Sequence, residues 1–144
     1  MINFKKLQIA IKDYDTLREE VIKKSRDVLK LSKQVIYSVH RNELKQATTL
    51  INCMEKEKKS LELLAKKKKK LPFEGSFKVA IQEYVEAVLY YQFVKTGKLV
   101  NLAVSPRHFV LGLADLPGEL SRRAVFLAGK GDRKSTRLNS SHHS

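Results

Sequence analysis

From Asn3 to Arg41 apolar and small residues return every three or four positions, at Leu17, Val21, Ile22, Ser25, Leu29, Ser32, Ile36 and Val39. That period belongs to a helix with one buried face, and no later segment shows the two-residue alternation of a strand. A second helix is expected from about Glu43 to Lys68, with a stripe of Leu44, Ala47, Leu50, Ile51, Met54, Leu61 and Leu64. A third should span about Phe77 to Leu99. "SPRHF" opens a fourth, with Ser105 as cap and Pro106 at the first helical position, reaching about Ala128 before Gly129-Lys130-Gly131. Asn42 is the expected cap of the second helix. Thr16 and Glu19 have capping-box spacing, which leaves open whether the first segment is one helix or two. Pro117 should kink the fourth. The fold class is all-α, an antiparallel helical bundle.

The chain has 144 residues, one domain's worth, and 42% hydrophobic with 31% charged residues describes a chain able to fold. Its net charge of +14 favours polyanionic partners, nucleic acid above all; a lysine-rich genome is the competing explanation. Cys53 is the only cysteine, which excludes an intrachain disulfide. No apolar run approaches the roughly 18 residues of a spanning helix, and the charged start is unlike a signal peptide. The expectation is a cytoplasmic protein with no membrane partner.

"DRKSTRLNSSH", Asp132 to His142, breaks the helical pattern and looks like the in-frame translation of a sequencing-library adapter. The domain is therefore expected to occupy residues 1–131, with 132–144 a non-native, disordered tail. The natural chain is expected to continue beyond Gly131. Setting the tail aside removes three basic and one acidic side chain, leaving 26 against 14, so the basic excess survives.

"IQEYVEAVLYYQF" carries the sharpest chemical question. On a helix Glu83 and Glu86 share a face with Val79, Ala87, Tyr90 and Val94, where an unpaired carboxylate is costly. "LGLADLPGELSRRAV" places Asp115 and Glu119 four apart, on a face with His108, Leu111, Arg122 and Phe126. Packed together, the two helices would gather four carboxylates, which cannot all stay ionised without a counter-charge. Mg2+ or Mn2+ answers that need with a preference for oxygen ligands, and such a site suits phosphodiester cleavage. Solvated, salt-bridged surface acids are the ordinary alternative, with Arg122 and Arg123 as structural partners. The chain lacks the E-x-x-H of a di-iron bundle and any Gly-rich phosphate loop. His40, at a helix end, reads as a cap or surface residue.

"QEYVEAV", "FVKTG" and "LGLADLPGELSRR", with the N-terminal "YDTLREEVIKKSRDVLKLSKQVIYSVHR", resemble the translin family, and within it the archaeal-type members of the factor X branch. The resemblance covers Tyr14 to Ala128. It implies an all-helical subunit of about seven helices that assembles into a closed, often octameric, homo-oligomeric shell. It also implies Mg2+-dependent endoribonuclease activity on single-stranded RNA. The family's catalytic and metal-binding acids fall on Glu83, Glu86 and Asp115, and Glu119 fits a fourth position. Translin proper lacks this set and binds single-stranded RNA or DNA without cutting. Two departures stand out: Pro117 replaces a residue that is often Thr, and the family's final helix is missing beyond Gly131.

Candidate nucleic-acid contacts are Arg122 and Arg123, the run from Lys66 through Lys67 and Lys68 to Lys70, and Tyr90 as a stacking ring. For Lys66 to Lys70 a solvated helix end is the plain alternative, and for Tyr90 a place in the core. Functional readings other than the nuclease are a non-catalytic binding module, an all-α nucleotide pyrophosphatase and a purely structural bundle.

Overall fold

A single helix, α1 (Phe4–His40), accounts for the whole N-terminal segment. In the computed structural model, which describes residues 1–142 and their side chains through Lys130, α2 (Leu44–Ala65), a 3-10 turn (Leu71–Phe73), α3 (Gly75–Thr96) and α4 (Pro106–His142) follow. No strand forms among the described residues, in line with the all-α expectation. The choice left open at Thr16 resolves because its Oγ1 donates to the Lys12 carbonyl at 2.9 Å, a bond made inside a helix. Asn3 caps the start, accepting from the Lys6 amide at 3.2 Å. Residues 1–13 are exposed, and the buried stripe begins with Val21, Ser25, Val28, Ser32, Val35 and Val39.

Asn42 ends α1 where the sequence reading had it begin α2. Its φ of 60° is left-handed, a conformation asparagine tolerates after a helix. The Asn42 amide donates to Val39 and the Glu43 amide to Ser38, so two last-turn carbonyls are satisfied. Glu43 takes the cap position of α2 without a side-chain bond.

Helix directions follow from cross-contacts. Thr48 meets Tyr91 and Glu55 accepts from Tyr84, so α2 runs antiparallel to α3; Ser32 meets Met54 across the tight turn at Asn42, so it is antiparallel to α1 as well. Arg18 pairs with Glu74 at one end and His40 meets Tyr90 at the other, which makes α1 and α3 parallel. α4 is parallel to α3 as well, with His108 beside Phe77 and Asp115 bonded to Gln82.

Parallel neighbours need a long return. Residues 97–105 supply it: nine residues at about 3.3 Å each reach about 30 Å, close to the length of α3 at about 1.5 Å per residue. Val100, Leu102 and Val104 pack inward while Leu99, Asn101 and Ala103 face out. Buried Lys58 anchors the return by donating to the Ala103 carbonyl at 3.3 Å, its charge met by Glu62 at 2.8 Å.

α3 is the central element. Ala80, Ile81 and every residue from Tyr84 to Tyr91 are buried, and a helix apolar on all sides can only sit inside. Fully burying a side chain such as Leu89 contributes about 2 kcal/mol. α4 is continuous across Pro117 and runs to His142, past the stop expected at Gly129. Glycine weakens a helix by about 1 kcal/mol per residue but does not forbid it. The expected non-native tail at 132–144 falls on side chains outside the described ones. No helix among the described residues is long and apolar enough to cross a membrane.

Candidate functional site

Because α3 and α4 run the same way, equivalent turns lie side by side and their acids face a common space. Glu83, Glu86, Asp115 and Glu119 line one open cleft of ≈ 400 Å³, together with Lys33, Ile36, Tyr37 and His40 of α1 and Arg122 of α4. Gly112 permits this approach, since a Cβ there would lie 2.5 Å from Val85 Cγ1.

Burial and crowding set the charge states. Glu86 is 4% exposed. Its pKa is pushed up from 4.5 to about 9, first by burial, then by its hydrogen bond to Glu119 and the nearby charges of Glu83, Glu119 and Asp115. Glu83 is also raised by burial, with Lys33 opposing and Asp115 and Glu119 reinforcing the shift. Glu119, 6% exposed, accepts from Arg122 NH2 at 2.7 Å and Nε at 3.3 Å, and faces His40 Nε2 at 3.0 Å. Exposed Asp115 accepts from Gln82 Nε2 at 3.3 Å. Burial, joined by the charges of Arg122 and Arg123, lowers the His40 pKa against the opposing effect of Glu119. A neutral ring with its proton on Nε2 donates to Glu119 and accepts from Tyr90 through Nδ1 at 2.7 Å.

A carboxyl held above its ordinary pKa binds its proton more tightly in the folded chain. Its contribution to stability is therefore fully present below 4.5 and is lost as pH rises toward about 9. Melting in the presence of a chelator should show Tm falling between about pH 6 and about pH 9, with a shallower fall in Glu86→Gln. Equal slopes in the two chains would remove Glu86 as the source.

The four acids converge as side chains lining a cleft, but no three His, Cys, Asp or Glu among the described residues form a ready ligand group. Their donor chemistry nonetheless fits a hard divalent cation: four carboxylates, two with raised pKa, in a space open to solvent.

The remaining candidates separate. Arg122 lies at the cleft with a side chain 63% exposed. Arg123 points elsewhere: it donates to the Val39 carbonyl at 2.6 Å and to Asn42 Oδ1 at 3.1 Å, clamping α4 onto the end of α1. Tyr90 is 0% exposed, so its ring has no face for a base, and the stacking role gives way to the core one. Lys66, Lys67 and Lys68 are exposed beyond α2, with Lys68 3.7 Å from Asp13. Asp13 is twenty residues before Lys33 on α1, about 30 Å away, so these lysines stand apart from the acids.

Three cleft residues escaped the sequence reading. Lys33, Tyr37 and His40 stand at i, i+4 and i+7 on α1, and that period marks one face. Tyr37 is 60% exposed at the cleft. His40, taken for a surface or cap residue, has a side chain only 12% exposed.

A family model described as "Translin family" matches residues 16–143, including positions set aside above as foreign. Translin-associated protein X of Rattus norvegicus is 24% identical over 177 aligned positions, covering 92% of this chain and 60% of the rat protein. "Uncharacterized protein MJ0175" of Methanocaldococcus jannaschii is 31% identical over 123, covering 82% of this chain and 54% of its own length. The chain thus spans little more than half of these relatives. Among solved structures, apo-NeC3PO superposes with a TM-score of 0.82 at 24% identity, over 97% of this chain and 78% of that one. AfC3PO in complex with duplex RNA gives 0.80 at 22%, over 94% and 71%. At these identities the structural matches speak for the fold alone.

Proposed function

The chain belongs to the translin family, and on that premise we propose that it cuts single-stranded RNA in the acid cleft with Mg2+ or Mn2+, as a subunit of a homo-oligomeric shell. The observation that carries this reading is the gathering of four carboxylates from two helices into one cleft, where burial first and the neighbouring acids second push the Glu86 pKa up to about 9. Titratable groups perturbed by burial and by each other mark sites of chemistry. Glu83, Glu86 and Asp115 would hold the ion, with Glu119 a further ligand or the group that orients water. When bound, Mg2+ would polarise the scissile phosphate and lower the pKa of a water molecule.

The chain's own residues have separable tasks. Lys33 offsets the negative charge beside Glu83. Arg122, exposed at the rim, suits a phosphate oxygen through its two-pronged donor geometry. Tyr37 offers an aromatic face where the buried Tyr90 cannot. RNA as the ligand class is supported by the duplex-RNA complex of AfC3PO and by the +14 charge. The octameric assembly and any affinity for single-stranded DNA rest on the resemblance alone.

One observation favours a second reading. Glu119 is already matched by Arg122 and hydrogen-bonded by His40, and an acid satisfied within the chain suits a binding module without catalysis. Labelled single-stranded and duplex RNA, each incubated with the protein and Mg2+, separate the two. The nuclease yields products from the single strand that EDTA suppresses. Salt-sensitive retention without products at any Mg2+ concentration would establish binding alone, and hydrolysis of nucleoside triphosphates in place of RNA would move the site to a pyrophosphatase.

A further inference from the structure

A carboxylate offers about four lone-pair positions, and both oxygens of Glu119 are already engaged within the chain. Arg122 occupies two, through NH2 to Oε1 at 2.7 Å and Nε to Oε2 at 3.3 Å. His40 Nε2 approaches Oε2 at 3.0 Å. A cation can take Glu119 through both oxygens only if one of these donors leaves. His40 is held in place by Tyr90 on its other nitrogen. Arg122 alone is free to go: its side chain is 63% exposed, against 7% for the acid it grips. Its guanidinium lies over Gly118, where even a Cβ would stay 3.5 Å away, so no side chain pins it from below.

We propose that Arg122 is a latch: a phosphodiester entering the cleft draws its guanidinium off Glu119, and the freed carboxylate then completes the divalent-cation site. The exchange is chemically matched, because the same two-pronged donor that grips a carboxylate grips a phosphate. The consequence is positive coupling: nucleic acid tightens the metal, and by linkage the metal tightens nucleic acid by the same factor. The inference rests on the metal-dependent reading above and deepens it by naming Arg122 as a positioning residue for Glu119 as well as a phosphate contact.

The test is Mn2+ binding to the full chain, followed by electron paramagnetic resonance, with and without a saturating short 2′-O-methyl RNA oligonucleotide. The oligonucleotide should tighten Mn2+ on the order of ten-fold, within the usual range of coupling between sites. Arg122→Ala should bind Mn2+ more tightly by itself and lose that response. Arg122→Lys keeps the charge but not the fork, and should also respond less than the parent chain. Parent-like coupling in Arg122→Lys would mean that charge alone matters, and unchanged coupling in Arg122→Ala would remove the arginine altogether; either overturns the latch. If the parent chain takes up Mn2+ with no dependence on the oligonucleotide, the latch fails and the metal site stands. If it takes up none in either condition, the metal-dependent reading fails first.

Discussion

Glu83→Gln should abolish Mg2+-dependent cutting of single-stranded RNA, a loss on the order of a hundred-fold or more, and leave the helical spectrum unchanged. The substitution keeps shape and volume and removes one anionic oxygen donor, so the effect is electrostatic. Glu83 is the suitable acid for it because it is only half-buried and its side-chain hydrogen bond, with Glu86, stays within α3. Its pKa is raised by burial, and Asp115 and Glu119 reinforce the rise. The neutral amide relieves that crowding, so Tm in chelator should hold or increase. Loss of cutting together with a lower Tm would point to misfolding, and Glu86→Gln would then serve as the second variant, judged by the same pair of readouts. Undiminished cutting by Glu83→Gln, still suppressed by EDTA, would take Glu83 out of the mechanism.

Gly112→Ala is expected to do comparable damage from a position that touches no ligand. A Cβ at this residue would lie 2.5 Å from Val85 Cγ1, 2.7 Å from Val85 Cβ and 3.1 Å from the Gln82 carbonyl oxygen. The Val85 Cβ and the carbonyl belong to a fixed part of α3, so α4 itself must move away. Asp115 and Glu119 lie one and two turns along that helix and would recede from Glu83 and Glu86. Overpacking of this kind costs about 1–3 kcal/mol, and alanine's better helix propensity returns only about 1 kcal/mol. Gly129→Ala is the internal control, because a Cβ there meets nothing within 4 Å and should leave Tm level or slightly higher. The expected pattern is a Tm several degrees lower and cutting lost in Gly112→Ala alone. Equal Tm and equal cutting in the two variants would show that the close approach does not position the acids.

The acids were legible in the sequence because a helical period is a local property. Glu83 with Glu86, and Asp115 with Glu119, share their faces whatever the rest of the molecule does. Arg122 followed by the same count. Residues whose roles depend on a partner helix were less legible. Arg123 sits next to Arg122 in sequence, yet it turns to the carbonyl of Val39, eighty-four residues away. Tyr90 shares a face with Glu86, but α1 closes over it and leaves its hydroxyl facing His40. Val100, Leu102 and Val104 do alternate, in a segment the sequence reading assigned to no strand, and they form none. That alternation records an extended return packed against the core.

Taken alone, the sequence determined that the chain is helical, that two of its helices each carry an acid pair on a half-apolar face, and that its charge favours polyanions. Period, spacing and composition are properties of a chain before it folds, and 3.6 residues per turn translates them into faces. Tertiary structure decided which faces meet. The nine-residue return makes α3 and α4 parallel, a missing side chain at Gly112 lets them touch, and the end of α1 brings Lys33, Tyr37 and His40 to the same cleft. Those choices depend on distances between residues far apart in the chain, where the attraction of any one pair is weak and only the packed whole selects the arrangement.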